Sequence, residues 1–118
     1  MATTYKVLGQ CEPSANTLTA LYTVPAATQA VVSTIVICNK GSAALFRIAV
    51  RIAGATVGSP DSDHTAPDAS YVVYDTYINP RDTVTLTLGI TLGATDVISV
   101  RATTADVSFS AFGAEITA

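Results

Sequence analysis

Apolar residues in this chain recur at every second position wherever a run is long enough to show a period, which is the mark of a half-buried β-strand and not of a helix. The stretch Asp82-Thr83-Val84-Thr85-Leu86-Thr87-Leu88 shows it best: Val84, Leu86 and Leu88 share one side and three threonines the other. Ala44, Phe46, Ile48, Val50 and Ile52 likewise share a face, leaving Leu45, Arg47, Ala49 and Arg51 opposite, with the two arginines side by side on the outside. Segment 30–38 differs. Val31, Ser33, Ile35 and Ile37 form one side and Val32, Thr34, Val36 and Cys38 the other, so both sides are mostly apolar. Such a strand is covered twice, by a second sheet and, in a chain without helices, by a neighbouring subunit. Segment 70–78 repeats the pattern, with Tyr71 and Tyr77 on the side of Val73 and Asp75 and Tyr74 turned away. Further strands are expected at 4–8, 18–24, 96–102 and 106–112, which makes eight.

The punctuation suits β connections. Asn39-Lys40-Gly41-Ser42 carries the Asn and Gly of a hairpin turn, so the strands on either side are expected to pair antiparallel. Asn79-Pro80-Arg81-Asp82 places Pro where a turn needs a fixed φ. Gly89 and Gly93 bracket a connection whose Ile90 and Leu92 plug the open end of a sandwich. Eight short strands with turns at close intervals predict an all-β fold, an antiparallel β-sandwich of jelly-roll or immunoglobulin-like type, forming a single domain over residues 1–118. The one long irregular stretch is 54–69, a loop rich in Gly, Pro and short polar residues and the best candidate for a variable contact element.

Composition sharpens this. Of 118 residues, 49% are hydrophobic and only 13% charged, where about 25% is usual, so too few charges exist to cover the surface of a free monomer densely. Part of that surface is expected to meet other protein. A net charge of −3 gives no electrostatic footprint for nucleic acid, and no apolar run approaches the roughly 20 residues of a membrane helix. The start of the chain has no basic region followed by an apolar one, so folding in a cytosol is expected. Cys11 and Cys38 are expected as idle thiols in a reducing compartment, with a disulfide between them as the alternative.

Candidate chemistry is thin. Asp61, Asp63, His64 and Asp68 are the densest set of potential ligands, but they lack the glycine and terminal Glu of an EF-hand, and a single histidine cannot build a zinc shell. His64 is also the only possible triad imidazole, and no serine sits in a G-x-S-x-G elbow. No catalytic residue, metal or cofactor is therefore expected. The residues favoured for protein contact are Val32, Val36, Arg47, Arg51, Tyr71 and Tyr77, the tyrosines because flat rings with polar tips suit interfaces and, alternatively, sugar stacking.

Taken in order, Tyr5-Lys6-Val7-Leu8-Gly9-Gln10, Leu21-Tyr22-Thr23-Val24-Pro25, the segment Ala30-Val31-Val32-Ser33-Thr34-Ile35-Val36-Ile37-Cys38-Asn39, Phe46-Arg47-Ile48-Ala49-Val50-Arg51 and the run from Asp82 to Ile90 resemble small virion structural proteins of tailed bacteriophages, especially phages of cyanobacteria. The resemblance extends to Phe112-Gly113-Ala114-Glu115-Ile116 and lies in strand pattern, not in a catalytic motif; Cys11 and the 54–69 loop depart from it. It implies a role without a site. That role is a non-enzymatic virion protein assembled in the host cytoplasm, most simply a capsid decoration (cement) protein that holds capsomer joints as a symmetric homo-oligomer. A trimer matches threefold positions, with the major capsid protein or other virion proteins as partners. The alternatives are a neck, tail or fibre component, or a receptor-binding module that holds host glycans through tyrosines and the acidic loop; an enzyme built on His64 is a distant third.

Overall fold

The computed structural model describes residues 2–51 and 71–117. Among them lie eight strands and no helix: β1 (Ala2–Cys11), β2 (Thr19–Thr23), β3 (Thr28–Asn39), β4 (Ala44–Arg51), β5 (Tyr71–Ile78), β6 (Thr83–Leu92), β7 (Val97–Ala102) and β8 (Val107–Thr117). They form two four-stranded sheets, ordered β1-β8-β3-β6 and β2-β7-β4-β5, and every pairing is antiparallel. The pairs β1 with β8, β2 with β7, β3 with β6 and β4 with β5 are nested like a folded ribbon. This is the strand order of a jelly roll and decides between the two sandwich types. The 54–69 loop, with Asp61, Asp63, His64 and Asp68, lies outside the described residues.

Nesting overturns the expected hairpin at Asn39-Lys40-Gly41-Ser42. β3 and β4 lie in opposite sheets, and the turn is a corner between them. The Asn39 side chain holds the corner from inside: its Nδ2 donates to the Ser42 carbonyl at 2.7 Å and the Asn79 carbonyl at 3.1 Å, while its Oδ1 accepts the Gly41 N–H at 3.0 Å. At 1% exposure Asn39 belongs to the interior. An Asn-Gly signal reports a tight reversal, and it does not say whether the chain returns beside itself or drops to the other sheet.

The core fills the space between the sheets, as alternation requires. Val107, Phe109 and Ala111 of β8 face Phe46 and Ile48 of β4, with Phe46 and Phe109 edge to face at 6.3 Å between centroids. The ladder is interrupted along one line across the first sheet, where β1 carries Leu8 between Val7 and Gly9, β3 carries Ser33 between Val32 and Thr34, and β6 carries Leu88 and Gly89 between Thr87 and Ile90. In β1 and β3 the single extra residue reverses the side to which the next one points, whereas in β6 two residues intervene and the original sides are kept. In β3 this puts Ala30, Val32, Ile35 and Ile37 inside and Val31, Thr34, Val36 and Cys38 outside. In β6, Leu88 is pushed into solvent beside Gly89, whose φ of +64° suits glycine, and Ile90 and Leu92 return to the core as part of the strand. At the same level on β8, a Cβ on Gly113 would overlap the Val31 carbonyl oxygen, so only glycine lets β8 pass.

Candidate functional site

The outer face of the β2-β7-β4-β5 sheet gathers four of the six residues favoured for contact. Arg47, Ala49 and Arg51 project there from β4, opposite Arg101, Ser99 and Val97 of β7. Arg47 is buried and not solvated: its Nε donates to Asp75 Oδ1 at 2.6 Å and its Nη2 to Asp75 Oδ2 at 3.1 Å, the two-pronged geometry a guanidinium and a carboxylate favour. A bulge in β5 puts Asp75 there, in a left-handed conformation at φ +49°. The same bulge brings the Tyr74 ring over the guanidinium at 4.2 Å, beside Tyr71, whose ring meets Tyr74 edge-on at 5.0 Å. Tyr74 therefore joins Tyr71 on this side, and Val73 packs into the core.

Arg51 is 2% exposed, and its Nε and Nη1 meet no acceptor in the structure. The expectation of two arginines standing in solvent fails for both, since the outer face of β4 is itself covered: Leu18, ahead of β2, packs with Ala49 and Tyr71. Tyr77, at 58% exposure, is the contact candidate that stands in solvent on this face. Hydrogen bonds from Arg47, ahead of its charge, hold the Asp75 carboxyl below its ordinary value, with burial working the other way. The arrangement is an internal clamp between β4 and β5.

The outer face of the β1-β8-β3-β6 sheet is the opposite in character. Register places Thr3, Tyr5 and Val7 of β1 beside Ile116, Ala114 and Phe112 of β8, and these in turn beside Gln29, Val31 and Thr34 of β3. Val36 and Cys38 continue the row, and β6 adds Thr83, Thr85, Thr87 and Thr91. No Asp, Glu, Lys or Arg of these four strands points to this side. Tyr5 is 84% exposed and forms one wall of a groove of about 290 Å³ that is otherwise bordered by Thr3, Val31, Ser33, Ala114 and Ile116. Of the sequence candidates only Val36 lies here. Val32 is wholly inside, because the bulge at Ser33 turns it toward the core.

The charged residues of this sheet are turned inward, at its edge. Tyr22 of β2 donates its hydroxyl to Glu115 Oε2 at 2.6 Å, and Lys6 Nζ lies 3.4 Å from Oε1. The Tyr22 hydrogen bond, ahead of Lys6, holds Glu115 below its ordinary 4.5, and burial together with this bond raises the Tyr22 hydroxyl. Stability from Glu115 is therefore complete above the unfolded value of 4.5 and is lost as pH falls through the lower folded one. Tyr22→Phe is expected to cost about 1–2 kcal/mol at neutral pH and clearly less once Glu115 is protonated, read from urea midpoints at the two pH values. A cost that stays constant with pH would leave the hydroxyl without a role in holding the carboxylate.

Cys11 faces the core, where burial pushes its thiol up to about 11, while Cys38 faces outward. Strand β8 separates β1 from β3 by two strand spacings, roughly 9–10 Å, too far for a disulfide between the two cysteines. Both thiols are free. Among the described residues no three His, Cys, Asp or Glu lie close enough together to hold a metal ion, and no helix is long and apolar enough to cross a membrane.

No family model matches this sequence, and no curated protein matches it. Among solved structures the chain is similar to a pentameric capsid protein isolated from metagenomic phage sequences, with a TM-score of 0.29 and 19% identity over 97% of this chain. The overlap spans 65% of the length of that protein. At that TM-score the pentamer remains a property of the other molecule and carries no argument for this one.

Proposed function

We propose that this chain is a non-enzymatic structural protein of a tailed-phage virion, a single jelly-roll domain that decorates the capsid as a symmetric homo-oligomer. A trimer over capsomer joints is the form that suits threefold positions. The observation that carries the reading is the uncharged outer face of the β1-β8-β3-β6 sheet, with Tyr5 84% and Val7 48% exposed on it. An uncharged face on which exposed aromatic and aliphatic side chains stand among threonines suits a protein-contact surface, and its repetition over many copies would stiffen a shell through avidity. The resemblance of the strand phrases to phage virion proteins points the same way. A glycan-binding module is less well supported, because, of its two candidate tyrosines, Tyr71 is turned toward Arg47 and Tyr74, which leaves Tyr77 as the one that stands in solvent.

The test is to locate and count the protein in purified particles of its phage, by cryo-electron microscopy and quantitative mass spectrometry. Many copies arranged over capsomer joints are expected. A few copies at the neck or tail would move the role elsewhere in the virion, and absence from washed particles would end it.

A further inference from the structure

We propose that the outer face of the β1-β8-β3-β6 sheet is where copies of this chain meet one another, the Tyr5 ring of each copy lying in the groove of its neighbour. This deepens the virion role by naming the partner and the surface, and rests on it in that respect; a face that meets its own copy closes at two, so the contact joins copies across a two-fold axis and is separate from the threefold arrangement. Three features of the face select a second copy. The first is its lack of charge. Like placed against like normally sets equal charges against each other, and a face that bears no Asp, Glu, Lys or Arg among the described residues of its four strands escapes that repulsion and buries no unpaired ion there. A partner of unrelated sequence is usually chosen by complementary charge, and this surface offers none to read.

The second is size. Four strands about 4.8 Å apart and some ten residues long span roughly 600 Å² in projection, and side-chain relief brings this toward the roughly 800 Å² that each partner of a specific complex buries. The third is shape. Tyr5 stands 84% exposed as one wall of a hollow of about 290 Å³, so the ring of a second copy would enter alongside it, and a cavity of about 150 Å³ is enough to hold a benzene ring. Thr3 and Ser33 at its border offer hydroxyls for the phenol tip. A projection and a matching hollow on one surface are what a symmetric contact requires, because every copy must present both halves.

Sedimentation velocity on the full chain at micromolar concentration is expected to show an oligomer. Tyr5→Lys and, independently, Val7→Lys should weaken self-association about 30-fold or more, as loss of a central aromatic anchor does. Tyr5→Phe should retain association, and Tyr77→Lys, on the other sheet, should leave it unchanged. Unaltered circular dichroism and melting of each variant would separate lost contact from lost fold. A monomeric wild type, or an oligomer insensitive to both lysine variants, overturns the proposal. Particle incorporation separates this from the virion role: a monomer that still enters particles removes the self-contact and keeps the role, whereas an oligomer dissociated by Tyr5→Lys but absent from particles does the reverse.

Discussion

Phe109→Ala is expected to remove about 3–5 kcal/mol of folding stability, a large part of the roughly 5–15 kcal/mol that a domain of this kind has. Phe109 is wholly buried on β8, an inner strand of its sheet, and meets Phe46 of β4, an inner strand of the other, at an interplanar angle of 63°. The pair thus spans the sandwich at its middle, where neighbouring strands on both sides limit collapse into the vacated space. Phe46→Ala should cost a similar amount. The double variant should lose less than the sum by about 0.5–1.5 kcal/mol, since the edge-to-face contact disappears with either ring. Urea unfolding at an unchanged slope is the measurement. A midpoint shift worth under about 1 kcal/mol for Phe109→Ala would mean that the two sheets are not packed through this pair.

That pair was within reach of sequence reasoning, because Val107, Phe109 and Ala111 keep an unbroken period of two and Phe46 sits in another such run. The eight strands were legible for the same reason. Period-two reasoning fails where the chain gains a residue. Ser33 carries no sign that it is a bulge, yet it moves Val32 inward and Val31 outward, and so transfers one contact candidate to the core and leaves out a residue that borders the groove. Asn39 fails differently, since its side-chain bonds bolt a corner that looks like a hairpin in one dimension. The uncharged face was beyond reach on other grounds. Its residues come from the start, the end and two middle segments of the chain, and only the order β1-β8-β3-β6 shows that Lys6 and Glu115 both turn away from it.

The second large effect is expected at Asp75. Asp75→Asn should cost about 2–3 kcal/mol, within the range for hydrogen bonds to charged groups and at the low end for stripping one partner from a buried ion pair. The low end applies because the Asp75 side chain is 34% exposed and water can partly replace it, whereas Arg47 is 8% exposed and cannot turn out. Loss of the carboxylate also uncovers a second problem. Arg101 stands directly across from Arg47 in the β4–β7 register, and Asp75 lies in the field of both. Without it the two cations lose the carboxylate that lies in the field of both, while Asn16 Oδ1 still accepts from Arg101 Nη2 at 3.1 Å. Asparagine is the right replacement because it tolerates φ +49°, so backbone strain does not enter the result; Asp75→Ala should cost more for that reason alone. The sign with pH is fixed by the same contact. Asp75 ionises in the fold below its ordinary 3.8, so its contribution is complete above that value and is lost as pH falls through the lower one. The stability of wild type and Asp75→Asn should therefore converge in acid. Replacing both partners, as in Arg47→Met with Asp75→Asn, should recover part of the loss by removing the buried charge altogether. A single-variant cost below about 0.5 kcal/mol, with no convergence in acid, would show that Arg47 does not depend on this carboxylate.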